Sequence, residues 1–131
     1  MSKLNTILLV DDNEMTNFMH RIIIEKMGCT DKLVIVENGE EALAYLTNPQ
    51  NTTPDLIFLD INMPVMNGWE FLEEYQYLNE GKKAKIVLFM LSTSMSPSDK
   101  KRADENEVIR GYINKPLSEN KVKTIIKQYL G

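Results

Sequence analysis

The sequence predicts an α/β fold, a doubly wound five-stranded parallel sheet with five helices. Three observations carry this. Apolar runs of strand length alternate with amphipathic, helix-length segments along the whole chain, the pattern of successive βα units. The strand runs are close to continuously apolar, as strands covered on both faces are. Three of them also end alike: Thr6–Val10 runs into Asp11-Asp12, Asp55–Leu59 into Asp60, and Ile86–Leu91 into Ser92-Thr93-Ser94. In open parallel sheets, ligand and reaction sites gather at the carboxyl ends of strands.

The first helix is expected over Glu14–Met27, with Met15, Phe18, Met19, Ile22 and Ile23 at amphipathic spacing, Asp12 or Asn13 as its cap and Gly28 at its end. Lys32–Glu37 is a β-branched second strand, and Asn38-Gly39 turns into a second helix over about Glu40–Leu46. Thr47–Pro54 is a polar, Pro-bracketed loop, suited to tolerate insertions. The third strand ends at Asp60. The third helix is expected from Trp69 to Asn79, with Leu72, Tyr75 and Leu78 inward, until Glu80-Gly81-Lys82-Lys83 breaks it.

After the fourth strand, Ser96-Pro97-Ser98-Asp99 is a helix start, with Ser as N-cap and Pro in the first turn. Between Asp99 and Glu107 the only apolar residue is Ala103, so this fourth helix has little to bury and should be the movable one. Val108–Asn114 is the fifth strand, ending at Lys115-Pro116. Ser118 caps a last helix whose Val122, Ile125, Ile126, Tyr129 and Leu130 form its apolar stripe. No repeat, linker or second unit interrupts this order, so residues 1–131 are expected to be one domain with no separate effector domain.

Composition narrows the functional classes. A 131-residue chain can bury about two-thirds of its unfolded surface. Its 43% hydrophobic and 26% charged residues describe an ordinary globule rather than a disordered or fibrous chain. A net charge of −4 argues against a nucleic-acid surface, which needs clustered Lys and Arg. No apolar stretch approaches the roughly 20 residues of a membrane span, and Met1-Ser2-Lys3-Leu4 opens no signal peptide, so the expected location is cytoplasmic. The single Cys29 excludes an internal disulfide and a cysteine-based zinc cluster, and suits a small residue near a helix end rather than a reactive thiol.

Carboxylates gathered at one sheet edge repel. At ~4 Å and an effective dielectric of ~20, each close pair costs on the order of 4 kcal/mol, so such a cluster needs a cation or shifted pKa values. Hard oxygen ligands favour Mg²⁺, which commonly joins one or two carboxylates to phosphate oxygens. Lys115 brings a fixed positive charge to the same edge. Carboxylate, divalent ion, ammonium and hydroxyl together describe a site for a phosphoryl group, which a carboxylate can accept as an acyl phosphate. Taken singly, the residues have ordinary explanations: a capping acidic pair, a turn Asp, a surface Lys. Together at successive strand ends they argue for one site.

Over nearly its whole length the sequence resembles a response-regulator receiver domain of two-component signalling, a flavodoxin-like fold. Asp60-Ile61-Asn62-Met63-Pro64-Val65-Met66-Asn67-Gly68 is the most specific string. The resemblance implies that Asp60 is the phosphoacceptor and that Asp11, Asp12, Asp60 and the backbone carbonyl of Asn62 bind Mg²⁺. It implies that Ser92 is the switch hydroxyl, Tyr112 the switch aromatic and Lys115 the phosphate-pairing lysine. It further implies that Asn62 and Ser94 tune self-dephosphorylation, and that the phosphoryl donor is a histidine kinase or histidine phosphotransfer protein. Output would pass to a downstream target protein through the fourth helix, fifth strand and last helix, in a single-domain, CheY-like regulator that is not an enzyme. Departures are small: Ser92 stands where Thr is commoner, and the Thr47–Pro54 loop lengthens the gap before strand three.

Three other functions fit less well. A phosphorylation-independent module of the same fold would not need Asp11, Asp12, Asp60, Ser92 and Lys115 together. An aspartyl-nucleophile phosphohydrolase wants a second Asp two residues after the nucleophile, where this chain has Asn62. A nucleotide-binding domain lacks support, since no glycine-rich phosphate loop occurs. The lone His20 is expected on the solvent-facing or rim side of the first helix, a poor phosphoryl donor or metal ligand. Trp69 and the Met63/Met66 pair are expected to pack beside the site.

Overall fold

The computed structural model describes residues 3–83, 85–93 and 95–130. Five parallel strands form one sheet: β1 (Leu4–Val10), β2 (Thr30–Val36), β3 (Leu56–Asp60), β4 (Val87–Ser92) and β5 (Ile109–Asn114), in the order β2-β1-β3-β4-β5. The helices are α1 (Glu14–Met27), α2 (Gly39–Thr47), α3 (Gly68–Tyr75), α4 (Glu80–Lys83), α5 (Pro97–Glu105) and α6 (Glu119–Ile125), the last continuing as a π-helical turn over Ile126–Leu130. Side-chain alternation along the central strands feeds two cores. Leu8, Val10, Ile57, Leu59, Leu88 and Met90 pack with residues of α2, α3 and α5. Ile7, Leu9, Phe58, Phe89 and Leu91 pack with residues of α1 and α6. Both sheet faces are thus covered, which is why the strands read as unbroken apolar runs.

The helix ends follow local chemistry. Asn13 caps α1 by accepting from Thr16 N, and Gly28 closes it at φ +59°, a left-handed conformation that costs glycine little. Ser96 and Ser118 cap α5 and α6 as expected. Asn67 and Glu70 form a reciprocal capping box at α3.

Several expectations need correction. α3 stops at Tyr75 rather than Asn79, because Tyr77 N–H donates to Glu74 O and Leu78 N–H to Tyr75 O, tightening the chain into i→i−3 turns. Leu78 is therefore only partly buried. Glu80–Lys83, expected as a break, forms the one-turn α4, so six helices replace five among the described residues. In the last segment Val122, Ile125 and Ile126 are buried, but Tyr129 stays partly exposed with its ring edge-on to Phe89.

The largest correction concerns α1. Met15 (71% exposed), Phe18 (61%), Ile22 (51%) and Met19 (44%) face outward. Its buried face is instead Asn17, His20 and Ile24. His20, expected at the rim, is fully buried.

Candidate functional site

The chain leaves β1 for one side of the sheet and returns to β3 on the other, so the strand order reverses between β1 and β3. That reversal opens a crevice at the carboxyl ends. Asp11 follows Val10, which pairs with Leu59, while Asp60 ends β3 opposite Leu91. Asp11, Asp12 and Asp60 thereby each bring a carboxylate oxygen within 4.8 Å of the others, Asp11 and Asp60 buried and Asp12 exposed. Lys115, immediately after β5, reaches across β4: its Nζ lies 2.6 Å from Asp11 Oδ2 and 3.1 Å from Asp60 Oδ1. Its backbone N–H donates to Ser92 O at 2.8 Å, tying the end of β5 to the end of β4.

Backbone donors fix the two buried carboxylates. Asn13 N–H donates to Asp11 Oδ1 at 3.0 Å, and Ile61 N–H to Asp60 Oδ1 at 3.0 Å. Asn17 Nδ2 donates to Asp11 O at 2.8 Å from the buried face of α1. On the far side, Gly68 N–H donates to Ile61 O, and a Cβ at Gly68 would come within 2.6 Å of the Asp60 carbonyl oxygen. The site string therefore closes on a glycine for lack of space beneath Asp60. Gly39 serves likewise at α2: its N–H donates to Met66 O, and a Cβ there would meet Met66 Cγ at 2.7 Å. Between them Val65 is held at φ +65°, an uncommon conformation for a β-branched residue.

The electrostatics follow from this crowding. Burial, then the charge of Asp11, raise the pKa of Asp60, and contacts with Lys115 and the Ile61 amide only partly oppose them. Burial alone would lower Lys115, but its hydrogen bonds and charge contacts with Asp11 and Asp60 outweigh that and raise it. Three carboxylates against one ammonium leave two net negative charges in the crevice. A divalent cation with hard oxygen preference matches that residue of charge, and the donor set of carboxylates fits Mg²⁺.

The other expected residues lie around this centre. Ser92 is buried at the end of β4, one residue past the Leu91 that pairs with Asp60. Asn62 is exposed two residues beyond Asp60. Tyr112 is 40% exposed on β5, opposite Met90. Ser94 lies outside the described residues. Met63 is buried and Met66 partly buried in the core beneath the loop. Trp69 is buried, its Nε1–H donating to Asp99 Oδ1 at 3.3 Å and its ring covered by the Arg102 guanidinium, 4.5 Å from the centroid. α5 buries Ala103 alone, as its sequence implied, and these two contacts with Trp69 hold it to α3. The sequence reading passes over Asn17 and places His20 at the rim, whereas both are buried. The available signal was the Asn17, His20, Ile24 spacing, a second helical stripe on the opposite side of α1 from the apolar one.

The family profile for the response regulator receiver domain matches residues 7–127. The chain is 32% identical over 125 residues to the chemotaxis protein CheY of Halobacterium salinarum, covering 95% of both. It is 30% identical over 122 residues to the sensor histidine kinase CheAY of Helicobacter pylori, covering 93% of this chain but 14% of that longer protein. A crystal structure of a two-component response regulator from Cytophaga hutchinsonii superposes with a TM-score of 0.88 at 29% identity, covering 96% of each chain.

Proposed function

The chain belongs to the response regulator receiver family, and from that premise we propose that it is a phosphoacceptor of two-component signalling, with Asp60 as the acceptor. One observation carries this reading: the Lys115 ammonium stands between Asp11 and Asp60 within a cluster that Asp12 completes. In the proposed reaction the Asp60 oxygen not held by Lys115 attacks the phosphorus of a phosphohistidine. The P–O bond forms as the P–N bond breaks, and the bonding pair leaves with the imidazole nitrogen of the donor. Asp11, Asp12, Asp60 and the Asn62 carbonyl would hold Mg²⁺, which supplies charge neutralisation at the transferring oxygens.

The product carries close to two negative charges and strong acceptor oxygens. Lys115 can pair with one of these oxygens and the Ser92 hydroxyl can donate to another. A shift of Ser92 frees space for Tyr112 to turn inward, which changes the face formed by α5, β5 and α6 and offers it to a downstream target protein. Asn62 and Ser94, small and neutral, are proposed to permit slow self-dephosphorylation, which is the extent of the enzymology. The donor is proposed to be a histidine kinase or phosphotransfer protein. It would dock on the exposed apolar side of α1, the helix whose cap residue Asn13 donates its backbone N–H to Asp11. Among the described residues no helix is long and apolar enough to cross a membrane, and the proposed setting is cytoplasmic, with neither nucleic acid nor membrane as partner.

Phosphoramidate, whose P–N bond resembles phosphohistidine, provides the test. With Mg²⁺ the protein should acquire a phosphoryl group that hydroxylamine removes, and EDTA should prevent it. Failure with every donor while Mg²⁺ binds would favour the phosphorylation-independent interaction module.

A further inference from the structure

His20 is a buried, titratable side chain of α1 that the proposed chemistry leaves unused. Its Nε2 accepts the Leu117 N–H at 3.0 Å, a contact between residues 97 apart in the sequence. A nitrogen that accepts an N–H carries no proton, so the ring is neutral with its hydrogen on Nδ1. Burial lowers the pKa of this imidazole; the Asp11 charge pulls it up and that of Lys115 pushes it further down. Nδ1 has no hydrogen-bond partner among the described residues. A fully buried polar ring with one unsatisfied nitrogen is a costly occupant where an aliphatic side chain would pack.

What that cost secures is the segment bearing Lys115. Pro116 has no N–H, so Leu117 supplies the first backbone donor after Lys115. The segment is fixed at its start by Lys115 N–H to Ser92 O and at its end by Leu117 N–H to His20. Lys121 Nζ donates to the carbonyls of Asn114 (3.0 Å) and Pro116 (3.3 Å) from the outer side. One turn before His20, Asn17 holds the carbonyl of Asp11. The same buried stripe of α1 therefore grips both strand ends whose side chains meet in the Lys115–Asp11 ion pair.

We propose that His20 is a positioning residue for Lys115: its hydrogen bond to Leu117 sets where the ammonium stands relative to Asp11 and Asp60, and so the rate at which Asp60 accepts a phosphoryl group. The rate clause rests on the phosphoacceptor function; the placement clause does not. His20→Leu removes the acceptor and keeps an apolar volume, whereas His20→Gln retains an acceptor oxygen.

Two readouts separate the clauses. In NMR spectra at fixed pH without phosphate, the Lys115 Nζ resonance should shift in His20→Leu and return toward the wild-type position in His20→Gln. The wild-type protein itself should show the Nδ1–H tautomer of His20 and a Leu117 amide strongly protected from exchange, a reading that needs no variant to fold. With phosphoramidate and Mg²⁺, His20→Leu should lower the maximal phosphorylation rate on the order of tenfold with little change in half-saturating donor, and His20→Gln should recover most of it. A Lys115 resonance indifferent to His20→Leu, or a freely exchanging Leu117 amide, would overturn the placement. A placed Lys115 with an unchanged rate in a wild type that does phosphorylate would overturn the rate clause. A wild type that takes no phosphoryl group while the NMR signals behave as stated would refute the phosphoacceptor function and the rate clause with it, leaving placement established.

Discussion

The surroundings of Asp60 work against its charge. Its pKa is raised first by burial and then by Asp11, so its folded value lies above its unfolded one. Stability contributed by the protonated form is complete below the unfolded value and is lost as pH rises through the folded value. Once pH has passed the folded value, and without metal, the charge on Asp60 therefore costs stability, and Asp60→Asn should be more stable than wild type. That gain should vanish as pH falls toward the unfolded carboxylate range and should narrow when Mg²⁺ is added. Urea midpoints measured across pH, with and without Mg²⁺, decide this; a less stable Asp60→Asn at pH 7 without metal would contradict it. Val65 is a second strained residue. Held at φ +65° with its side chain three-quarters exposed, it loses little packing on replacement. Asn tolerates the left-handed region better, so Val65→Asn should raise unfolding free energy by about 1 kcal/mol in denaturant titrations.

At the scale of elements, α1 has two working faces. The inner face of Asn17, His20 and Ile24 fastens it to the strand ends. The outer one leaves Met15, Phe18, Met19 and Ile22 exposed. If a donor protein docks there, Phe18→Asp should slow transfer from a phosphohistidine protein at least about tenfold, a loss near 1.4 kcal/mol, and leave phosphorylation by phosphoramidate unchanged. Equal slowing with both donors would place Phe18 in the structure of the site instead. α5 shows the opposite economy. With Ala103 as its one buried residue, it depends on the Trp69–Asp99 hydrogen bond and the Arg102–Trp69 stacking. Trp69→Phe removes the N–H and weakens the cation–π contact, together worth about 1–2 kcal/mol. Hydrogen exchange should quicken in α5 by about tenfold and far less in β1 and β3. Uniform acceleration across the chain would mean that Trp69 supports the core rather than this helix.

For the whole molecule, the sheet and its acidic edge were legible because they depend on local patterns. Apolar runs of strand length, the Asp11-Asp12 pair, Asp60 at a strand end and Lys115-Pro116 are all contiguous in sequence, and parallel topology brings their ends together. The early stop of α3 was not legible, since it turns on i→i−3 bonding at Tyr77 and Leu78 rather than on residue preference. The orientation of α1 was not legible either. Periodicity finds a stripe but does not say which of two stripes faces the sheet, and apolar content pointed to the wrong one. The deciding contact, His20 with the Leu117 amide, joins distant parts of the chain. Polar residues on the inner face of a helix become intelligible only once the backbone groups they satisfy are known.

The most direct test of the phosphoacceptor account is intact-mass analysis with peptide mapping after incubation with acetyl phosphate and Mg²⁺, beside Asp60→Asn. The account predicts a single phosphoryl adduct that requires Mg²⁺, maps to Asp60 and is absent from the variant. An adduct that persists in Asp60→Asn, or forms equally without Mg²⁺, would contradict it.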